Sequence, residues 1–240
     1  MNGWGAERLF PQEKDRATWS HIIPFVAWLY LMQMLGDPSG WSYAVRSALC
    51  LVVFLWLRPW TWYPRLQVRN LPLAFGAGVL VFVAWVGLET VWVGEKLPGL
   101  KDFYLRWGVL PFGKAPPPLE TLPFAPETCG WTFSLIRLAG SAFVISFIEE
   151  FFWRGFLYRW MMGRDFWRAD LGAFDPPLFL AVAVFFGFEH AQWAAGIIAG
   201  LVYGWVFIRT RDIWATGIAH AITNFLLGWY VLATGAYGFW

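Results

Sequence analysis

Charge is scarce in this chain: Asp, Glu, Lys and Arg together make up 14% of 240 residues, where an ordinary soluble domain carries about 25%. The shortfall is filled by apolar and aromatic side chains, at 58% and 21%, which excludes intrinsic disorder and makes lipid the expected solvent for most of the surface. A formal net charge of +2, with its basic residues scattered, gives no electrostatic footprint for nucleic acid. Cysteine is almost absent. Cys50 lies in an apolar run and Cys129 in a polar loop, so neither a disulfide framework nor a metal-thiolate site is expected and the redox compartment stays open. A cleavable secretory leader is also missing from the reading. Met1 to Ser20 mixes Glu7, Arg8, Glu13, Lys14, Asp15 and Arg16, the apolar stretch starts late, and no small-residue cleavage site follows. Residues 1–20 are therefore expected to be a retained cytoplasmic segment, and 21–240 a single integral membrane domain.

What the chain has in abundance is apolar runs. Stretches near 21–35, 43–57, 71–94, 131–152, 178–192, 194–208 and 213–233 approach the length needed to cross a hydrocarbon core about 30 Å thick. The expected fold class is all-α, a polytopic membrane helix bundle of about 7–8 transmembrane helices. An eighth span has room only in the 95–130 connection, whose second half carries Pro111, Pro116, Pro117, Pro118, Pro123 and Pro126 and is expected to be extended rather than helical. In a seven-span arrangement most Lys and Arg, such as Arg16, Arg65, Arg164 and Arg209, fall on one side, and Lys96, Lys101, Arg106 and Lys114 on the other. The positive-inside rule then places the N-terminus in the cytoplasm. Trp56, Trp60, Trp62 and Tyr63, like Trp229 and Tyr230, read as interfacial aromatic belts. Gly196, Gly200 and Gly204 put a smooth stripe on one helix face, the pattern of close helix contact rather than of chemistry.

Against this background the mid-span polar residues stand out, because each ionisable group inside an apolar span costs about 2.5–3.5 kcal/mol on insertion scales. The run Phe147-Ile148-Glu149-Glu150-Phe151-Phe152-Trp153-Arg154 sets two adjacent acids and an arginine among aromatics. Glu150 and Arg154, at i and i+4, can pair; Glu149 points about 100° away from Glu150 and has no local partner. His190 ends the run Phe186-Gly187-Phe188-Glu189-His190, and His220 lies one turn before Asn224 in the last span. Glu89 and Arg137, near the ends of their spans, are expected to be structural, in an ion pair or snorkelling to the interface. A single buried histidine is as often structural as catalytic. Three polar sites on three helices of one half of the chain point to a shared cavity, and their depths at 1.5 Å per residue overlap loosely enough to permit it.

The motifs Glu149-Glu150-x-x-x-Arg154, Phe186-x-x-x-His190 and His220-x-x-x-Asn224, in this order within 145–230, resemble the signature of the CPBP family of intramembrane proteases, which includes the type II CAAX prenyl endopeptidases. The run from Phe151 to Tyr158, the Arg209-Thr210-Arg211 loop and the tail Tyr230 to Gly235 further resemble its exosortase-associated bacterial branch. The resemblance implies an intramembrane peptidase in the bacterial inner membrane, acting on a membrane-associated protein or peptide. Glu149 with His190 would activate water and His220 with Asn224 would stabilise the oxyanion, while Glu150 and Arg154 orient the first acid and Phe186 supports the site. Either glutamate could be the base. No cofactor is expected, and the Asn together with the lack of an H-E-x-x-H helix favours a metal-free site; the alternative is zinc held by Glu149, His190 and His220. Glu189 is expected to face elsewhere on its helix, as a supporting or loop residue rather than a catalytic one. Two other functions fit buried Glu and His residues, a proton-coupled transporter and a non-catalytic membrane scaffold. No inverted repeat supports the former. Oligomeric state and substrate identity are not encoded in any of these features.

Overall fold

A computed structural model describes residues 9–36 and 38–240; Glu7 and Arg8 of the expected N-terminal segment lie outside the described residues. Helix accounts for 77% of the chain, and no strand occurs among the described residues. In chain order the helices are α1 (Glu13–Met34), α2 (Gly40–Leu57), α3 (Leu71–Gly87), α4 (Val91–Lys96), α5 (Pro98–Trp107), α6 (Pro126–Met162), α7 (Pro176–Phe188), α8 (Trp193–Thr210) and α9 (Ile213–Thr234). The chain is an all-α membrane helix bundle.

Seven of these helices occupy the seven apolar stretches of the sequence, but five segments among the described residues are long and apolar enough to cross a membrane: Gly40–Trp62, Val68–Gly87, Pro126–Met162, Trp193–Thr210 and Ile213–Thr234. The expected count of seven to eight is thus not reached by length and composition. The two that fall short do so for different reasons. α1 is long enough and carries no charge after Arg16, but His21, Pro24 and Gln33 make it less apolar than a membrane span, and α7 has only 13 residues, about 20 Å of rise against a core about 30 Å thick. No eighth span arises in the 95–130 connection, which forms only the short α4 and α5 before a proline-rich stretch without helix. That connection has another use. Leu110 N–H donates to Ala191 O at 2.9 Å and Ala194 N–H to Gly108 O at 3.1 Å, so it clamps the short turn between α7 and α8.

Helix ends follow from local chemistry. Ser39 and Ser42 form a reciprocal capping box at the start of α2, and Asp175 caps α7 by accepting from Leu178 N at 3.1 Å, with Pro176 at the first helical position. The side chain of Asp212 does more. Its Oδ1 accepts from Trp214 N and Ala215 N at 3.1 and 3.3 Å, capping α9, while Oδ2 accepts from Gln67 N and Asn70 Nδ2 at 2.9 and 3.0 Å. One carboxylate, 2% exposed, therefore fixes the start of α9 against the segment that leads into α3.

Burial is arranged as lipid requires: large apolar side chains such as Val52, Phe75, Leu80 and Phe143 face outward, while Ser146, Glu150, Arg154, Asp212, His220 and Thr223 are buried. Without a hydrophobic drive between helices, close approach relies on small residues and interhelical hydrogen bonds. The glycine stripe on α8 supplies the first: a Cβ at Gly196 would lie 2.9 Å from Gly187 Cα, and one at Gly200 2.9 Å from Ala183 Cα, so α7 and α8 pack backbone to backbone. Between α3 and α9 the close approach is at Gly78, where a Cβ would lie 2.5 Å from Ala219 O. Thr223 joins the same helices, its hydroxyl lying 2.9 Å from Gly78 O and accepting from Tyr203 of α8 at 2.7 Å. Replacing Asp212 by alanine removes four acceptor contacts and leaves buried donors unpaired, so Asp212→Ala is expected to lower unfolding stability by about 2 kcal/mol or more. Thermal unfolding of the purified protein in detergent measures it; an unchanged midpoint contradicts the role of this carboxylate.

Candidate active site

The two adjacent glutamates sit in an unusual piece of helix. Within α6 the segments Ser141–Ile145 and Phe151–Tyr158 are π-helical and flank a single α-helical turn, Ser146–Glu150. Widened helix of this kind is rare and occurs mostly at functional sites. Here it brackets Glu149 and Glu150 on both sides.

Glu150 is fully buried and pairs with Arg154, Nη1 to Oε1 at 3.0 Å. The same oxygen accepts from His220 Nδ1 on α9, also at 3.0 Å, and the second guanidinium nitrogen of Arg154 donates to the main-chain oxygen of Gly200 on α8 at 3.1 Å. The guanidinium lies 4.3 Å from the ring centre of Phe186 on α7, a cation–π contact in a desolvated setting. Arg154 thus touches two other helices, α7 and α8, while pairing with one carboxylate on its own helix. The expected Glu150–Arg154 pair is present, but its free end reaches His220 rather than Glu149, the acid that the resemblance gave it to orient.

His220 is held on every side. Its ring stacks on Tyr203 at 4.8 Å and 23° and meets Phe186 edge-on at 5.7 Å. Because the Glu150 carboxylate already accepts from Arg154, Nδ1 of His220 is the donor and Nε2 keeps its lone pair. That lone pair points toward Glu149, whose Oε2 is 3.8 Å away. Glu149 is 7% exposed and its Oε2 has no hydrogen-bond partner in the protein, as its position on the helix led one to expect. His190, in the turn after α7, donates from Nδ1 to Phe186 O at 2.9 Å, since a carbonyl can only accept, and its Nε2 is likewise a lone pair. Trp85 of α3 packs edge-on against it at 5.2 Å. Asn224 Nδ2 donates to Ser141 O at 2.9 Å and keeps a second N–H.

Glu149, His190, His220 and Asn224 line one cavity of about 340 Å³. Glu189 lines it too and accepts from Trp153 Nε1 at 3.0 Å; it faces the site rather than elsewhere, but as the expected loop residue, tying the turn after α7 to α6. Tyr203, also on the cavity wall, was passed over in the sequence, where it is a lone tyrosine on the glycine-striped helix. The third histidine, His21, is elsewhere: it bonds to Ala17 O at 2.6 Å and Tyr63 Oη at 2.8 Å in a buried cluster with Arg159, a fastening of α1 to α6. Glu89 and Arg137 form no ion pair among the described residues. Lys101 donates to the main-chain oxygen of Glu89 at 2.8 Å, and burial pushes the Glu89 carboxyl up to about 7 against the pull of that lysine. Both cysteines stand free.

The zinc alternative can be tested on the donors. Among the described residues no three His, Cys, Asp or Glu side chains are arranged to hold a metal ion, so Glu149, His190 and His220 as placed do not fit one.

Residues 131–226 match the family Type II CAAX prenyl endopeptidase Rce1-like. The match covers less than half of the chain, yet it contains every member of the three motifs, from Glu149 to Asn224. Comparison with curated proteins and with solved structures gives no match. The similarity supports the peptidase resemblance at the level of this catalytic half; it does not distinguish the exosortase-associated branch.

The buried pair makes a sharp stability prediction. Arg154→Met leaves the buried Glu150 carboxylate without its counter-ion, held by His220 alone, and is expected to cost about 3–5 kcal/mol, of which Glu150→Gln in the same chain recovers a substantial part. A double-mutant cycle on unfolding in detergent checks it, and additive losses would show that the two side chains are not coupled.

Proposed function

We propose that the protein is an intramembrane endopeptidase that hydrolyses a peptide bond of a membrane-associated protein or peptide. The observation that carries this reading is Glu149, a buried carboxyl that makes no hydrogen bond to the described residues and lines the cavity together with both imidazoles. Glu150 also leaves one oxygen unpartnered, but its other oxygen is engaged by Arg154 and His220 and it does not line the cavity.

In the proposed reaction a water enters the cavity between Glu149, His190 and His220. One O–H of the water donates to an imidazole Nε2 lone pair, which orients it, and the other donates to the Glu149 carboxylate, which takes that proton as the water oxygen attacks the substrate carbonyl carbon. The carbonyl π electrons move to oxygen, and the free N–H of Asn224 donates to that developing charge, a contact of the kind worth about 10²–10³ in rate. Glu149 then gives its proton to the amide nitrogen, the C–N bond breaks, and a carboxylic acid and an amine leave. His220 differs here from the role implied by the resemblance. Its Nδ1–H is spent on Glu150, which leaves a lone pair facing the cavity, and a lone pair receives a hydrogen bond rather than stabilising an oxyanion. Glu150 and Arg154 accordingly act as positioning residues for His220, and Phe186 supports the arginine.

The finer placement follows the sequence. The runs at Phe151–Tyr158, Arg209–Arg211 and Tyr230–Gly235 support the exosortase-associated bacterial branch, and the Lys and Arg distribution supports a bacterial inner membrane with the N-terminus in the cytoplasm. Such a branch argues against a prenylated substrate.

Glu149→Gln is expected to fold as the parent protein does while losing turnover by at least about 10². The informative assay compares the termini of membrane proteins, by mass spectrometry, in cells making either the intact protein or the variant at equal level. New termini only with the intact protein establish hydrolysis and identify the substrate. Identical termini, with both proteins abundant and folded, overturn the reading.

A further inference from the structure

The membrane-crossing helices α3 and α8 leave an apolar groove between them. It has a volume of about 380 Å³ and is walled by Leu73, Gly76, Ala77 and Leu80 of α3 and by Leu201 and Trp205 of α8. Leu80 and Trp205, 58% and 50% exposed, form its rim. The groove therefore opens sideways to lipid, and it shares no wall residue with the catalytic cavity. Gly76 keeps it open: a Cβ there would meet no atom within 4 Å, whereas a Cβ at Gly78, two residues on, would lie 2.5 Å from Ala219 O. Helix packing requires the second glycine and makes no demand on the first.

Length and charge identify what fits. From Pro72 to Leu80, at 1.5 Å per residue, the groove runs about 12 Å along α3, close to the roughly 15 Å of one half of the hydrocarbon core. A crossing helix of another protein would need about twice that length; a single acyl chain of one leaflet does not. At the mouth of the groove stand two cations. Asp212 accepts from Gln67 N and Asn70 Nδ2 at 2.9 and 3.0 Å, so the end of α8 and the start of α3 meet there, and with them the exposed Arg209 and Arg69. Arg209 lies one turn beyond Trp205 on the same face of α8, and Arg69 one turn before Leu73. Other arginines have partners: Arg154 has Glu150, Arg159 has Tyr63 and Ala169 O, Arg211 has Asp170, and Arg46 of α2 and Arg137 of α6 lie against the Tyr43 ring. Among the described residues no hydrogen bond, ion pair or ring contact engages Arg69 or Arg209. The acid nearest to them in the chain, Asp212, is buried and spends its oxygens on four N–H donors.

Basic pockets between crossing helices bind anionic lipid head groups, and each Lys or Arg at the surface adds to the attraction. We propose that the α3–α8 groove binds an anionic phospholipid, one acyl chain lying along Gly76 and the phosphate between Arg69 and Arg209. In the orientation given above this is a lipid of the cytoplasmic leaflet. The site stands independently of the peptidase reading. Its occupant braces α3 against α8, the helices that present Trp85 and Tyr203 to the catalytic cavity.

Native mass spectrometry of the delipidated protein in neutral detergent counts bound lipid during titration with phosphatidylglycerol or phosphatidylcholine of identical acyl chains. Phosphatidylglycerol is expected to bind at least about tenfold more tightly. Arg69→Gln combined with Arg209→Gln brings it down to the level of phosphatidylcholine. Gly76→Leu, whose side chain enters the groove, weakens both lipids. Unfolding midpoints in lipid-free detergent stay at the parent value, since none of the replaced groups bonds to protein; Gly76→Met takes the place of a leucine variant that fails this control. Equal binding of the two lipids by the parent protein, or phosphatidylglycerol binding that Gly76→Leu leaves unchanged, overturns the assignment. Displacement of the lipid by inorganic phosphate at matched ionic strength also overturns it and gives the arginines to a free anion. So does a second copy of the chain retained by the parent and lost from Gly76→Leu, which gives the groove to a neighbouring helix.

Discussion

Arg154 is the residue whose charge the interior has to accommodate. It is 2% exposed in a bundle surrounded by lipid, where a bare cation costs several kcal/mol. Every group that relieves that cost comes from a different place: the Glu150 carboxylate from the same helix, the Gly200 carbonyl from α8, and the Phe186 ring face from α7. Gly200 can offer its carbonyl only because α8 presses against α7 through its glycine stripe. Glu150, once held by the arginine, fixes His220 on α9. The solvation of one guanidinium therefore demands that four helices assemble in one arrangement, and that arrangement is the one that turns the Nε2 of His220 into the cavity.

The contrast with Arg46 and Arg137 follows from the same physics. A half-buried cation without a counter-ion loses part of its hydration, and for these two the offset is aromatic: Tyr43 faces both, with Trp28 against Arg46 and Phe124 and Trp240 against Arg137. Cation–π contacts are worth less than a charge-assisted pair, so these side chains are held less firmly than Arg154. Glu149 is in the matching position among the acids: buried like Glu150, but without the two hydrogen bonds that Glu150 receives from Arg154 and His220. The cavity thus has at one place a carboxyl without a hydrogen bond to protein and at another two guanidinium groups held by aromatic rings.

Much of this was legible in the sequence. Hydropathy located seven helices, because apolar runs bounded by charged or proline-rich breaks leave little freedom. The Glu150–Arg154 contact followed from helical spacing, the close packing of α8 from its glycines, and the isolation of Glu149 from its angle on the helix. The rest depended on contacts between distant segments or on changes of helical pitch. Nothing in the run Phe151–Tyr158 announces a π-helix, since the side chains that favour it do so by packing against other helices. Asp212 looks like a simple helix cap, and its bonds to Gln67 and Asn70 become visible only when the chain returns to that place. Glu189 is misplaced by helical extrapolation because α7 ends at Phe188, and a residue beyond a helix end no longer obeys its angle. The short α7 also explains why seven helices do not mean seven spans.

That shortness matters for access. α7 ends about 10 Å short of a full crossing, and the turn that follows it carries Glu189 and His190 at the level of the cavity rather than at the membrane surface. Irregular backbone at such depth survives only where protein satisfies its polar groups. Here the 108–110 segment does so, pairing with Ala191 and Ala194, while Gln192 donates from Nε2 to Gly238 O at 2.9 Å. The loop that brings His190 to Glu149 is consequently held from two sides by segments distant in sequence, both outside the membrane-crossing helices. The N-terminal half and the C-terminal tail, which carry none of the three motifs, are thereby required for the site: they supply the backbone partners without which a histidine could not be presented to a carboxylate inside the bilayer.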